Sequence, residues 1–297
     1  QTNFTAGEFS PLLEGRVSLA KYADAVSSLE NFYCFPHGPI DKRPGTRFIS
    51  AIKTESAKTR LIPFVFSTIQ AYILEFGNLY IRFYKDEGQI QSGGSAYEIA
   101  SPYTTAQIFD LRFTQSADVL YICHSAHAPR QLSRTGHTSW TITEYDRGDG
   151  PYLTENTTST TLTPSGTSGS ITLTASASLF SANDVGRNVR LQQASKWGAA
   201  KITGYTSATV VNATVIDDDD SAFENTSAVT TWRLGSWYVD NWPSGQPTFF
   251  ENRLAFCNTT AEPNAFWISR SGDFTSHKPT ARDGAVADTH AINRLIT

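Results

Sequence analysis

The amino-acid sequence predicts a mainly β protein. We expect propeller-like antiparallel sheet units, a short N-terminal helix and arm, and an inserted small all-β module. The chain contains 18 Phe and 12 Tyr, and with Val, Ile and Thr these residues favour the half-buried surface of a pleated sheet. Short apolar runs bounded by turn residues recur along the sequence. One Ser- and Thr-rich stretch separates two aromatic-rich parts, which indicates the insertion.

The first 60 residues are predicted to form a helix followed by a Pro-rich docking arm. Ser10 before Pro11 is a favourable helix start. Apolar residues then recur at spacings of three and four, which predicts a longer helix over residues 17–31; these residues are Leu19, Tyr22, Val26 and Leu29. Five Pro and Gly residues between 36 and 45 prevent its continuation, so an irregular extended arm is expected.

Residues 61–150 are predicted to form a β-rich platform or propeller-like part. The runs QAYILEF and LYIRFYK are separated by Gly77 and Asn78, which predicts a hairpin with a two-residue turn. That turn places Ile81 opposite Leu74 and Phe83 opposite Tyr72, with all four side chains on one apolar face. Further strands are predicted near residues 111–114, 119–124, 130–133 and 140–145.

A change in composition divides residues 151–297 into two parts. Residues 151–231 are rich in Ser and Thr and contain short alternating runs, which predicts an inserted β module. Residues 232–297 return to the β-rich part. The segments that begin at Phe113 and Phe249 share the order of an aromatic residue, a polar turn, a strand with a cysteine, a Pro-containing loop and a second strand. This echo favours propeller blades.

Composition limits the function classes. The formal net charge is -4, which disfavours tight nucleic-acid binding, because such binding uses basic residues that neutralise phosphates and release counterions. The cysteines are widely separated and form no C-x-x-C pair, so neither a disulfide framework nor a zinc ribbon is predicted; they are Cys34, Cys123 and Cys257. No apolar run reaches 18 residues, so no membrane segment is predicted.

No catalytic, metal or cofactor residue is predicted. The sequence contains no nucleophile elbow, phosphate-binding loop or metalloprotease helix motif. The run Asp217–Asp220 lacks the Gly and Glu of a calcium loop, so we interpret it as a solvated loop. Four possible zinc ligands match no common zinc spacing, so the histidines among them are interpreted as loop or strand-end residues; these ligands are Cys123, His124, His127 and His137.

Two further patterns are weighed against plainer interpretations. The tripeptide Arg147–Asp149 spells a cell-adhesion motif, but it lies among turn formers and is interpreted as a surface turn. Basic residues cluster around the arm, and a solvated arm and a functional surface are equally open interpretations; if the arm is functional, we expect subunit docking before a DNA contact. These residues are Lys42, Arg43, Arg47, Lys53, Lys58 and Arg60.

Several motifs in one order resemble the N-terminal block of a tail protein of short-tailed bacteriophages (podoviruses). They are GEFSP at residues 7–11, LAKY at 19–22, LENF at 29–32 and RPGTRF at 43–48. The similarity continues through residues 61–85 and 111–124 and resumes at 232–274. Proteins of this family are longer, so we expect the chain to be the first part of a larger subunit.

The resemblance implies a structural subunit of the tail tube or nozzle, with six copies in a ring around the channel for genome ejection. The expected partners are other copies, tail adaptor or portal-side proteins and tail fibres. DNA is expected to pass through the lumen without specific binding. The location implied is the virion tail, after assembly in the host cytoplasm. The residues predicted to dock subunits or partners are Phe9, Tyr22, Lys42, Arg43 and Arg47.

Two alternative functions remain open from the sequence. A host-surface carbohydrate-binding tail module would stack sugar rings on exposed Trp232, Trp237 and Trp242. A tail-associated glycan hydrolase would need two carboxylates at a catalytic separation, and its candidates are Glu98, Glu144, Glu155 and Asp184. We favour a structural subunit that is not an enzyme.

Overall fold

The computed structural model describes residues 3–67, 70–216 and 221–296. The prediction of a mainly β protein is confirmed, since strands account for 44% of the residues and helices for 3%. The chain divides into two compact units, residues 1–49 and 50–297. Within the described ranges there is no α-helix, and the helical residues form three 3-10 turns: Pro11–Leu13, Tyr22–Asp24 and Ala182–Asp184.

The unit of residues 1–49, called the arm below, consists of two short strand pairs and two of these turns. Strands β1 (Gly7–Glu8) and β2 (Ala25–Val26) are parallel, and β3 (Phe32–Cys34) and β4 (Ile40–Lys42) are antiparallel. The predicted helix start is a 3-10 turn, whose cap is Ser10 accepting a bond from the Leu12 N–H. The turns and short strands leave most of the arm irregular.

The helix predicted over residues 17–31 is wrong. Tyr22–Asp24 is a single 3-10 turn, and the next two residues form β2. The backbone of this segment bonds to residues far along the chain instead of to its own next turn: the Phe9 N–H donates to the Val26 carbonyl at 3.0 Å. Ser18, Ser27 and Ser28 have modest helix propensity, and backbone pairing overrides the apolar spacing.

The first sheet has the strand order β11-β7-β6-β5. Its antiparallel strands are β5 (Arg60–Ser67), β6 (Gln70–Gly77), β7 (Tyr80–Lys85) and, later in the chain, β11 (Glu98–Ala100). Strand β8 (Gly88–Gln89) pairs with β7, and β9 (Gln91–Ser92) pairs with β10 (Ser95–Ala96). β5 therefore lies at an edge of the sheet.

The register predicted for the β6–β7 hairpin is wrong by two residues, although its apolar face is right. Leu74 pairs with Phe83, and Gly77 is the last paired residue, opposite Tyr80. The turn therefore falls one residue later than predicted, at Asn78 and Leu79. A Cβ on Gly77 would lie 2.2 Å from the Tyr80 ring, so glycine is needed as a strand residue covered by an aromatic ring.

Two further sheets, each with four strands, run as antiparallel meanders. The second sheet contains β12 (Arg112–Ser116), β13 (Val119–His124), β14 (His127–Gly136) and β15 (Ser139–Glu144), which confirms the strands predicted there. The third sheet contains β22 (Thr248–Phe250), β23 (Arg253–Cys257), β24 (Ala265–Ile268) and β25 (Ile292–Leu295). The two segments that share the sequence echo thus begin similar four-stranded sheets.

The second sheet lies between the first and the third, because the side chains of β13 alternate between two cores. Leu120 and Ile122 belong to a cluster with first-sheet residues such as Phe64 and Leu74. Tyr121 belongs to a cluster with the third sheet, as does Cys123. Both faces of β13 are buried, which explains its nearly continuous apolar sequence.

Residues between the second and third sheets form a six-stranded module sheet in the order β16-β17-β20-β19-β18-β21. Its strands are β16 (Leu162–Pro164), β17 (Ser170–Ala175), β18 (Asn188–Gln193), β19 (Lys196–Ser207), β20 (Val210–Val215) and β21 (Trp232–Leu234). It has a separate core that includes Leu173, Leu191 and Val211. The sheet continues three residues past the predicted module boundary at residue 231.

Candidate functional site: the arm and its attachment

The arm places two of its predicted docking residues in contact. Phe9 follows β1 and Tyr22 begins the turn before β2, and their ring centroids are 6.4 Å apart in an edge-to-face arrangement at 66°. The Tyr22 hydroxyl accepts a bond from the Gly15 N–H at 2.9 Å. The rings line a cavity of about 250 Å³ together with Leu13 and Val26. This cavity is large enough to hold an apolar side chain.

The arm has almost no buried core. Gly38 is the one buried residue among the described residues 3–49. Large apolar side chains are instead exposed to solvent, with Leu12 at 91% and Phe48 at 79%. Isolated two-stranded pairs are at best marginally stable in water, and ordering such a segment costs conformational entropy that burial must offset. The arm therefore exposes large apolar side chains and buries almost none of its own residues.

The basic docking residues lie at the other end of the arm. Lys42 ends β4 opposite Phe32, and the Arg43 N–H donates to the Asn31 carbonyl at 2.8 Å. Lys42, Arg43 and Arg47 are all exposed. The structure thus joins Phe9 to Tyr22 through their rings, and it distributes the three basic residues along β4 and the segment after it.

A polar cluster that sequence reasoning missed holds residues 50–53, the first residues of the second unit, on the first sheet. Glu75 is fully buried and accepts bonds from the hydroxyls of Tyr80, at 2.6 Å, and Tyr84. The Lys53 N–H also donates to Glu75 at 3.5 Å, while the Lys53 ammonium pairs with Glu98 at 2.5 Å. Residues 50–53 are therefore attached to the outer face of the first sheet.

Charge and burial set the protonation of this cluster. The ammonium of Lys53 and the guanidinium of Arg82 lower the pKa of Glu98, with Lys53 the larger influence. Burial, and then the bond to Glu75, raises the pKa of Tyr80. The hydroxyl consequently stays protonated and keeps donating to the carboxylate. A sequence signal existed in Glu75 itself, a charged residue inside the run QAYILEF, but its partners lie on other segments.

The tryptophans proposed for sugar stacking are buried, so the exposure that this role requires is contradicted. Trp232 belongs to the module core and donates to the Thr160 carbonyl at 2.9 Å. Trp237 is 1% exposed and packs edge-to-face on Trp267 at 5.7 Å. Trp242 is also buried. Their large apolar rings contribute more as core than on the surface.

The interpretation of Arg147–Asp149 as a surface turn is also wrong. Arg147 and Asp149 are buried. The Arg147 guanidinium lies 5.3 Å from the Trp242 ring and donates to the Gly186 carbonyl. Asp149 accepts a bond from the Tyr152 hydroxyl and lies 3.9 Å from Arg190 Nε. The tripeptide thus joins the module sheet to the segment before it.

The histidines considered for zinc each have a local role. His124 ends β13, and its Nδ1 accepts a bond from the Ala126 N–H at 3.1 Å, while burial lowers its pKa. His127 contacts Gln107 at 3.0 Å, and His137 contacts Tyr72 at 2.7 Å. The interpretation as loop and strand-end residues is confirmed. Among the described residues, no group of three or more His, Cys, Asp or Glu has metal-site geometry.

Three of the four carboxylates considered for a glycan hydrolase form separate ion pairs. Glu98 pairs with Lys53, Glu155 with Arg233 at 3.4 Å, and buried Asp184 with Arg187 at 2.6 Å. Glu144 is exposed at the end of β15. The run Asp217–Asp220 lies outside the described residues.

The remaining sequence expectations concern thiols and membranes. All three cysteines are free in the structure, with Cys123 buried and Cys34 and Cys257 half-buried. In the described ranges, no helix is long and apolar enough to cross a membrane.

Comparison with protein-family models and with curated proteins found no match to this chain.

Proposed function

We propose that this chain is a structural subunit of the tail tube or nozzle of a short-tailed bacteriophage, and that identical copies close into a ring that conducts the genome. The observation that carries self-assembly is the arm, whose large apolar side chains are exposed and whose only buried residue, in the part described, is Gly38. The ordered motifs of residues 7–48 support the phage assignment. Six copies are the number that the resemblance implies.

The arrangement of sheets supports a propeller-like body. The first sheet is antiparallel and has five strands, the second and third are four-stranded antiparallel meanders, and the second is packed on both faces. Propeller blades are sheets of this size that bury their faces on neighbouring blades. Two glutamines also connect adjacent sheets edge to edge: Gln115 of β12 bonds to Val65 of β5, and Gln246 before β22 donates to the Phe113 carbonyl of β12.

The mechanism we propose is mechanical. A heterologous contact with the right rotation produces a closed ring of identical copies, and the lumen provides a path for DNA. A net charge of -4 favours passage, since a strongly basic wall would retain the phosphate backbone. The arm supplies the contacts between copies, or between this subunit and the adaptor, portal-side and fibre proteins of the tail.

Native mass spectrometry of the purified chain tests self-assembly. We expect an oligomer of defined stoichiometry, six copies by resemblance, and a shift to the monomer in the double variant Phe9→Ala/Leu12→Ser, which alters the arm cavity and its most exposed side chain. The matched control Thr174→Ser changes an exposed residue of the module sheet and leaves the oligomer intact. A wild-type protein that is monomeric over a wide concentration range contradicts the proposal.

A further inference from the structure

We infer that a cavity between the module sheet and the third sheet binds a sugar acid, a small hydroxylated ligand with one carboxylate. The cavity, called the β21–β25 cavity, has a volume of about 420 Å³, which accommodates one sugar ring and its substituents. It is lined by residues 152–154, Arg233 of β21, Pro279 and residues between 286 and 294, which lead into β25. The site is additional to the proposed function and does not depend on ring assembly.

The module side of the cavity is formed by paired backbone. The Leu153 N–H donates to the Leu234 carbonyl at 2.9 Å, so residues 152–154 lie beside β21. Arg233, at the centre of β21, pairs directly with Arg190 of β18. Two like charges in directly opposed positions on paired strands are unfavourable. The anionic group of a ligand would reduce this repulsion.

Arg233 is held in place but has only a weak acidic partner. The guanidinium groups of Arg190 and Arg233 both lie over the Trp197 ring, at 5.0 and 5.3 Å from its centroid, which restricts their orientation. The partner of Arg233 is Glu155, whose side chain is 43% exposed and lies 3.4 Å away. Exposed ion pairs of this kind contribute little. Arg233 is therefore available to an anionic ligand.

The opposite wall is a loop whose backbone is fixed by a buried arginine. Arg253 is buried and donates to the carbonyls of His290, at 2.6 Å, and Asp288. The Nδ1 atom of His290 accepts a bond from the Ala287 N–H at 2.8 Å, so the neutral ring carries its proton on Nε2 and can donate it. Because residues 287–290 are already ordered, binding costs less conformational entropy.

The charges around this wall favour an anion. The pKa of His290 is lowered by burial and, after that, by the positive charges of three residues, which are Arg270, Lys278 and Arg190. The negative charge of Asp283 acts in the opposite direction and is a smaller influence. Surroundings that disfavour a positive charge on His290 favour a negative charge at the same place.

The side chains of the lining select a carboxylate with neighbouring hydroxyls. Arg233 and Arg294 both line the cavity, and guanidinium groups match the planar geometry of a carboxylate. Asp288 lines it with an exposed carboxylate, which repels a doubly charged phosphate but accepts a bond from a ligand hydroxyl. Thr154 and the Nε2–H of His290 are neutral partners for further hydroxyls. A sugar acid has this combination of groups.

Isothermal titration calorimetry of the intact chain with glucuronate tests the site. We expect saturable binding of one ligand per chain. Glucose lacks the carboxylate, acetate lacks the hydroxyls and glucose 6-phosphate carries the larger charge, so all three are expected to bind more weakly. Arg233→Gln should weaken glucuronate binding roughly tenfold or more. The matched control Lys201→Gln removes an exposed positive charge from β19 and should leave binding unchanged.

Arg294→Gln is a second variant, which changes an exposed residue of β25 and leaves the module sheet intact. It is also expected to weaken glucuronate binding, and circular dichroism checks that each variant keeps the wild-type unfolding midpoint. Absence of saturable glucuronate binding, or binding that neither Arg233→Gln nor Arg294→Gln weakens, overturns the inference. Acetate, glucose or glucose 6-phosphate bound as tightly as glucuronate overturns the assignment to a sugar acid. Each of these results leaves the proposed ring assembly standing.

Discussion

The side-chain amide of Gln115 bonds to both backbone groups of Val65, at 3.0 and 2.9 Å, and so occupies the free edge of β5 at this residue. An unpaired strand edge exposes donors and acceptors that can template pairing with another chain. A side chain from the second sheet thus performs the role of a neighbouring strand. It also ties the second sheet to the first.

Gln115→Ala is expected to lower the free energy of unfolding by about 1–2 kcal/mol, because the two hydrogen bonds to Val65 and the one to the Ala117 carbonyl are lost and the edge becomes open to water. Urea unfolding followed by circular dichroism measures this difference. The control Gln91→Ala removes an exposed amide from β9 and should change the free energy little. An equal change in the free energy of unfolding of the two variants would show that the bonds between Gln115 and Val65 do not stabilise the protein.

Glu75→Ala is expected to cost about 2–4 kcal/mol, since it leaves the Tyr80 and Tyr84 hydroxyls without their carboxylate acceptor. Glu75→Gln retains one acceptor oxygen and should cost less. The exposed residue Glu144 provides the control substitution Glu144→Ala. Chemical unfolding gives the three values, and a Glu75→Ala protein as stable as wild type contradicts the role of Glu75 in holding residues 50–53.

Asp149→Ala is expected to destabilise the protein by about 3–5 kcal/mol. The change removes the partner of the buried Arg190 guanidinium, whose Nε lies 3.9 Å from the carboxylate, and an unpaired buried charge is costly. Asp86→Ala, on an exposed turn, removes a solvent-screened carboxylate and should matter far less. Calorimetry compares the two unfolding midpoints. Similar midpoints would mean that Asp149 does not stabilise the junction with the module.

His277 is expected to make the free energy of unfolding decrease as the pH falls. Burial lowers the pKa of this histidine to about 3, with the Arg147 charge as a lesser cause. The unfolded chain takes up a proton near the ordinary histidine pKa of about 6.5, and the folded chain does not. Stability contributed by His277 is therefore present above about pH 6.5 and is lost as the pH falls toward 3, with a slope of at most about 1.4 kcal/mol per pH unit.

His277→Phe is expected to flatten this part of the pH profile, because the aromatic replacement packs near Trp237 and Phe256 without titrating. The exposed arm residue His37 gives the control His37→Gln. Unfolding free energies between pH 7 and 4 separate the two variants. A wild-type slope retained in His277→Phe would assign the acid sensitivity to other groups.

Much of the β structure is predictable because it depends on local alternation. The inward face of β6 and β7 follows from the period of two, and the strands of the second sheet follow from apolar runs between turns. The register was missed since Gly77 is usually a turn residue, and only the Tyr80 ring across the pair shows that it belongs to the strand. The helix over residues 17–31 was wrongly predicted because the backbone of Val26 pairs with Phe9, a contact that spacing does not encode.

The candidate site shows the same division between local and distant information. Motif order and exposed apolar composition single out the arm, and the structure brings Phe9 and Tyr22 together. Burial of Trp237, Trp242 and Asp149 depends on segments that meet only in the folded chain. Lys53 lies 22 residues before Glu75 in the chain, so no local pattern indicates that the two meet.

Electron cryo-microscopy of the purified full-length protein tests most directly whether copies of this chain build a conduit. The account predicts class averages of a closed ring with a central opening of roughly 20 Å or more, wide enough for duplex DNA, whose major groove alone is about 12 Å wide. Single particles of one chain, or closed assemblies without a central opening, would contradict it.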